Sequence, residues 1–521
     1  MASSNDEESK TKRFLKSRLL IQPPVDSDPR LLSRGSKALI LVIIALAATT
    51  AGFSSTIYFP GMPMITEDFH APPMATTLTA ALFILFMGIS PVIWAALSDY
   101  YQIRRFLLFV SMIIFAVASL GNALMTNIWG MVVLRCVQSV GASCGQSVGA
   151  GVISDCYPIE KRGAAFGKFF LGYFIGPLIG PILGGFLIMS DQTWRATFWF
   201  CFAFGMLVAI VILAVYPETY RINAKFDPPE QQEEAAARGT DNDDASSEST
   251  TVSIAIPAGT SDETTNSYQQ NEKKDVEKQQ DPVDKQVTPV KKKRINPIRP
   301  FLMLRHPHVM LTSLVASVAF GSMFAVETVL PDLFESTYNF NAWQTGLSFL
   351  GAGVGNTCGA IINGFLSDRL LMRARAKRGG KPLAEDRLTV NLWSCGFVFM
   401  PFGLLLFGWG IERRLSYWTG IVGFGVHNFG MNQVMTATSA YLVDAVPGEG
   451  ASITAAANLV RMVVACVLTL VVNPLVSAIG PGYTMVILAV LTFASMALLA
   501  IVKFYGPRIR RHYGLMQPSE L

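Results

Sequence analysis

Charge is scarce in this chain. Asp, Glu, Lys and Arg make up 15% of its 521 residues, where a soluble protein of this length carries about 25%. That shortfall argues against a water-soluble body. Histidine is scarcer, at five residues, and the seven cysteines (Cys136, Cys144, Cys156, Cys201, Cys358, Cys395, Cys466) are odd in number and show no metal-ligand spacing. The pattern speaks against a disulfide framework or a zinc site and leaves free thiols. We read no nucleophile elbow, phosphate-binding glycine loop or metal cluster, so an enzyme and an ATP-driven pump are not expected and no cofactor is implied. The net charge of +5 gives no sign of a nucleic-acid partner. The opening residues, MASSNDEESKTKRF, lack an apolar signal core, so the first hydrophobic run is expected to act as its own signal.

Apolar residues fill the space that charge leaves, at 51% of the chain, with a mean hydropathy of +0.39. Runs of roughly 20 residues, enough to cross a ~30 Å hydrocarbon core as helix, recur twelve times: 37–59, 77–97, 106–126, 128–151, 164–188, 195–216, 309–331, 342–366, 388–409, 416–442, 452–476 and 482–504. The expected fold is all-α, a polytopic membrane protein with twelve transmembrane helices in two six-helix bundles. The bundles are placed at 37–221 and 301–504, with an N-terminal tail over 1–36 and a C-terminal tail over 505–521. Between them, 222–300 is rich in Glu, Asp, Gln, Ser and Thr, too polar to bury a core, and is expected to be a disordered linker. It ends in Lys291-Lys292-Lys293-Arg294, read either as topogenic charge or as an anionic-lipid contact. Lysine and arginine gather in the tails and in the links after the second and eighth spans, as at Arg104, Arg105, Arg369, Arg373, Arg508 and Arg510. Both termini are therefore expected in the cytosol.

One stretch of sequence occurs twice. Gly52 to Arg105 reads GFSSTIYFPGMPMITEDF, an apolar run, then AALSDYYQIRR; Gly321 to Arg375 reads GSMFAVETVLPDLFESTYNF, an apolar run, then GFLSDRLLMRAR. Pro60 and Pro331 close one run in each copy, and Leu97-Ser98-Asp99 and Leu366-Ser367-Asp368 close the next. Two halves that repeat inside long hydrophobic segments are the mark of a secondary transporter. The fifth span adds GYFIGPLIGPILGG, with Gly172, Gly176, Gly180 and Gly184 every four residues and Pro177 and Pro181 between them. Glycines so spaced make a smooth face for a neighbouring helix, and the prolines permit a bend.

These residues resemble the major facilitator superfamily. Gly180-Pro181-Ile182-Leu183-Gly184-Gly185 looks like its fifth-span antiporter motif. Arg135, Gln138 and Gly141 resemble its Arg-x-x-Gln fourth-span motif, and the Leu-Ser-Asp stretches resemble its loop motif and that motif's echo. Tyr216-Pro217-Glu218-Thr219-Tyr220-Arg221, Ser55 to Pro60 and Asn458-Leu459-Val460-Arg461 look like fungal twelve-span drug:proton antiporters, above all the quinidine-resistance and organic-acid-exporter branch. The loop motif is thinned here: Ala95, Tyr100, Gln102 and Ile103 replace the usual residues, and Asp99, Arg104 and Arg105 remain. The resemblance implies that Asp99, Arg104 and Asp368 latch the outward-facing state by charge pairs, and that Gly176, Gly180, Pro181 and Gly184 serve the conformational change. It also implies a proton-coupled antiporter that exports small organic molecules such as drugs, organic acids or polyamines by alternating access. Proton-driven import of a nutrient and a non-transporting transceptor are the alternatives. The partners implied are a small-molecule substrate, protons and the bilayer. The chain is expected to act as a monomer in the plasma membrane, or else the vacuolar membrane.

Ionisable groups at membrane depth are costly, so they normally face a cavity or a partner. Arg135 (with Gln138) and Arg461 (with Asn458 one turn before it) are the candidate substrate or proton-linked cations; two arginines in opposite halves would suit an anion. Glu327 is a candidate proton carrier, or else a solvated residue near the outer surface. His427 is a candidate relay, or else a packed histidine. Asn428, Asn432 and Gln433 make that stretch a candidate substrate-facing surface. Lys168 is expected to snorkel, and Tyr58, Phe59, Phe83, Phe86 and Trp94 to face lipid or the interface rather than a site.

Overall fold

The computed structural model describes residues 28–157, 159–221, 302–377, 383–446 and 450–513. All of them belong to one compact unit, Met1–Arg221 with Ile295–Leu521. The first half holds α1 (Arg34–Thr56), α2 (Pro73–Tyr101), α3 (Arg105–Leu124), α4 (Ile128–Cys156), α5 (Ile159–Ile188) and α6 (Arg195–Val215). The second half holds α7 (Pro307–Tyr338), α8 (Ala342–Ser348 continuing as Leu350–Lys377), α9 (Val390–Glu412) and α10 (Tyr417–Ala445). A last rod, Gly450–His512, turns at Gly480 (φ 82°), which divides it into α11 (450–479) and α12 (481–512). Gly480 is required there because its φ is left-handed, and Pro481 behind it cannot continue a helix from α11. The fold is all-helical and the protein spans a membrane.

Local sequence explains the ends of these rods. The Ser33 hydroxyl accepts the Ser36 amide (3.1 Å) at the start of α1, and Asn127 accepts Trp129 (2.9 Å) at the start of α4. Gln102 (φ 57°) ends α2 and Asn339 (φ 55°) ends α7, both left-handed residues that stop a helix. At ~1.5 Å per residue, the 29 residues of α2 reach about 43 Å, more than a bilayer core. Among the described residues nine segments are long and apolar enough to cross a membrane, one of them covering both α11 and α12. In α5 the apolar part described is Gly176–Ile188. α10 has the length (29 residues) but carries His427, Asn428, Asn432 and Gln433. Large apolar side chains such as Val133, Leu207, Val354 and Val490 point outward, as a lipid-facing surface requires.

Within the first half α1 packs on α4 and α5, α2 on α4, and α3 on α4 and α6. Within the second, α7 packs on the last rod, α8 and α9 on α10, and α9 on the last rod. The α5 glycines act inside one half. A Cβ on Gly176 would lie 2.7 Å from the Phe53 amide nitrogen, one on Gly180 2.6 Å from Thr56 Oγ1, and one on Gly184 1.7 Å from the Ile57 carbonyl oxygen. Those three positions let α5 lie on the backbone of α1. Gly172's surroundings lie outside the described residues.

The halves meet along two seams. α2 crosses α11, where Gly88 rests on Met462 and Thr77 Oγ1 accepts from Asn473 Nδ2. α5 crosses α8, where Gly346 lies on the Pro181 carbonyl and Gly353 on Leu178. The tilted aromatic pair Phe59–Phe349 (6.5 Å) lies beside the second seam. The Thr77–Asn473 and α5–α8 contacts lie toward the end of the molecule opposite Asp99 and Arg104, and Gly88–Met462 lies midway along α2.

The C-terminal tail expected from residue 505 is a continuation of α12 through His512. Arg510 is fully buried there and holds Glu385 with two parallel bonds (Nε to Oε1 3.0 Å, Nη2 to Oε2 2.9 Å), and Lys503 Nζ donates to the Glu385 carbonyl. This two-pronged ion pair seats the end of the helix against the 384–387 turn. The segment 222–300 and the basic run at its end lie outside the described residues.

Candidate functional site

Arg135 sits one turn from Gln138 on α4 and is fully buried. Its Nη1 donates to the Ser54 carbonyl (2.9 Å) and to Gln138 Oε1 (2.7 Å). Gln138 Nε2 in turn donates to Ser119 Oγ on α3 (2.7 Å). Tyr58 and Phe83 cover the guanidinium, each ring centroid 4.2 Å from its central carbon, with Phe198 at 5.9 Å. Ser139 holds the Phe83 carbonyl (2.7 Å) and Thr79 bonds the Tyr58 hydroxyl (3.0 Å), so the aromatic walls are fixed. Nε and Nη2 have no partner. A buried cation with its faces covered and one edge unpartnered has the donors that an anion would need. Tyr58, Phe59 and Phe83 are thus interior, contrary to the expectation that they face lipid or the interface. Their aromatic character made lipid contact the default, whereas a buried guanidinium needs π faces for partial compensation.

In the second half, Arg461 Nη2 donates to Asn458 Oδ1 and its guanidinium lies 5.1 Å from the Phe320 ring. Glu327 is 4% exposed, which removes the solvated reading, and its Oε2 has no partner. No ion pair reaches Glu327 among the described residues. His427 is buried and tied at both ring nitrogens, Nδ1 to the Met400 carbonyl and Nε2 to Ser322 Oγ, each at 3.2 Å. Asn428 Oδ1 accepts from Asn356 (3.1 Å), and Gln433 bridges the Gly359 carbonyl (2.7 Å) and Asn391 (2.9 Å). These two amides hold α10 to α8 and α9 rather than present a substrate surface. Asn432 keeps an unpartnered Oδ1.

At the far end, Arg104 pairs with Asp99 (3.0 Å) and Asp155 (3.1 Å) and bonds Ser98 Oγ (2.7 Å). Burial alone would lower its pKa, but Asp155 and Asp99 outweigh this and hold it above its ordinary value. Glu218 accepts the Arg104 and Arg105 amides (2.9 and 3.1 Å) at the start of α3, the favoured place for a carboxylate. Arg221 grips Asp28 (3.1 and 3.0 Å). Burial would raise the Asp28 carboxyl, yet Arg221 and the Arg30 amide hold it below its usual value. Each of these pairs joins residues of the first half, so among the described residues the Asp99 and Arg104 pairs stay inside that half. The side chain of Asp368 lies outside the described residues. Lys168 is exposed.

Sequence reasoning missed Ser54, Asn122, Asp155 and Ser322, which become visible only through helix register. It also passed over Gly145-Gln146-Ser147-Val148-Gly149, which spells a nucleophile elbow. Those residues lie inside α4, with Ser147 Oγ donating to the Cys144 carbonyl (3.3 Å), so the strand-turn-helix context of an elbow is missing. Among the described residues no group of three His, Cys, Asp or Glu could hold a metal.

The family model described as Major Facilitator Superfamily matches residues 44–469. The MFS-type transporter phiD of a fungal species is 29% identical over 488 residues, covering 90% of this chain and 69% of phiD. The MFS antiporter QDR3 of Candida albicans is 26% identical over 560 residues (92% and 79%), and the MFS transporter fsa7 of a Fusarium species 29% over 484 residues (92% and 86%).

Proposed function

Since the chain belongs to the Major Facilitator Superfamily and is a membrane transporter, we propose that it is a proton-coupled antiporter that exports small organic molecules by alternating access. The observation that carries this reading is a pair of buried, uncompensated charges, one in each half: Arg135 with an open edge and Glu327 with an open oxygen. An ionised carboxylate left alone in hydrocarbon costs at least ~2.5 kcal/mol on the insertion scale. Taking up a proton removes that cost, so Glu327 is suited to carry protons between the two sides. Arg135 cannot be discharged and is suited to hold substrate. The two seams close one end of the molecule, and rocking of the halves about them would open it and close the other. From the positive-inside bias we read the closed end as facing away from the cytosol, and we propose the plasma membrane as its place and the monomer as its working unit. Proteoliposomes loaded with citrate, spermidine or a cationic drug test the reading under an inward proton gradient. Export of one of them that a protonophore stops is expected; equal fluxes with and without the gradient would contradict it.

A further inference from the structure

Asn122 lies on α3, buried, and both its Oδ1 and Nδ2 lack any partner. Two unmade positions on one buried amide are a debt that a fold rarely leaves without use. Its place is fixed by the Ser119–Gln138 bond, which pins α3 to the antiparallel α4. Three residues onward from Ser119 is Asn122, and three residues back from Gln138 is Arg135, so these two lie level on adjacent helices. Ser54, whose carbonyl takes Arg135 Nη1, also has a buried hydroxyl without a partner.

Resting on the transport reading above, we propose that Asn122, Arg135 and Ser54 form a binding site for a carboxylate, and that the substrate class is organic acids. Tyr58 and Phe83 close the guanidinium faces and Ser54 and Gln138 take Nη1. What remains is the Nε and Nη2 edge, whose two parallel N–H groups match the two oxygens of a carboxylate. Asn122 Nδ2 and the Ser54 hydroxyl supply further donors, and Asn122 Oδ1 can take a hydroxyl beside the carboxylate. No carboxylate side chain bonds to this cluster among the described residues. An ammonium substrate would find donors here and a cation; a carboxylate finds its complement.

Calorimetric titration of the purified protein at pH 7.5 with phthalate, citrate and phthalamide (the uncharged diamide) tests this. Phthalate or citrate should bind at least tenfold more tightly than phthalamide. Asn122→Asp puts a carboxylate level with the open edge and should weaken that binding tenfold or more, with an unchanged or higher melting temperature. Ser54→Ala should weaken it several-fold. Carboxylates that bind no better than phthalamide, or as tightly to Asn122→Asp as to the wild type, would overturn the proposal. Gradient-driven transport of spermidine without carboxylate binding would overturn it too, while leaving proton coupling intact.

Discussion

Arg135 and Arg104 show how one residue type is used in two ways. Arg104 sits at a helix start among Asp99, Asp155 and Ser98, with its donors taken by acceptors of its own half. Arg135 meets a carbonyl, an amide oxygen and two aromatic faces, and none of these neutralises it. The first arrangement stabilises a fold; the second leaves capacity for a ligand. The Asp28–Arg221 pair belongs with the first kind, and its consequence for pH follows from the sign. The folded carboxyl lies below its unfolded value of about 3.9, so the pair's contribution is full above that value and is lost as pH falls through the folded one. Melting temperatures of wild type and Asp28→Asn should therefore differ at pH 7 and converge as pH falls below about 3.9. A constant difference across that range would contradict the assignment. The sequence made Arg135, Gln138 and Arg461 stand out, because charges and amides are rare in apolar runs. Tyr58, Phe83 and Asn122 were not legible, since their roles depend on which helix lies beside them.

At the scale of elements, the glycine pattern of α5 was legible and its partner was not. Regular four-residue spacing announced a smooth face, but only packing shows that the face lies on α1 while Pro181 and Leu178 meet α8. A side chain at Gly184 would drive Cβ to 1.7 Å from the Ile57 carbonyl, a backbone atom that cannot turn aside. Gly184→Ala should lower stability by about 1–3 kcal/mol or more, as overpacking does. Gly35→Ala, where the nearest atom is Ser33 Oγ at 4.0 Å, should leave it unchanged. Thermal melts of the two variants in detergent make the comparison, and equal melting temperatures would contradict the packing. Span ends were less legible than span cores. The apolar run of α12 stops near residue 504, yet the helix continues to His512 because Arg510 finds Glu385 across the chain. Hydropathy reports lipid contact and says nothing of a helix seated by an ion pair. For the same reason α10, crowded with amides, is a full-length helix although its hydropathy is low: Asn428 and Gln433 spend their polarity on neighbouring helices.

At the scale of the whole molecule, the repeated stretch at Gly52–Arg105 and Gly321–Arg375 was enough to announce a transporter. Which end is closed was not, since that depends on contacts between halves, α2 with α11 and α5 with α8. If the halves part along these seams during each cycle, tying them should stop it. Cysteines replacing Thr77 and Asn473, whose side chains bond across the first seam, in a protein lacking the exposed Cys358 thiol, should halt transport on oxidation and restore it on reduction. Undiminished flux through the cross-linked protein would mean that the seam does not open. Coupling itself is most directly seen as proton movement. In proteoliposomes holding a pH-sensitive dye, an imposed substrate gradient should drive protons in the opposite direction. Glu327→Gln, which keeps the shape of the side chain and removes its charge, should abolish that proton flux. Protons that move with the substrate, that do not move at all, or that move as before in Glu327→Gln would contradict the account.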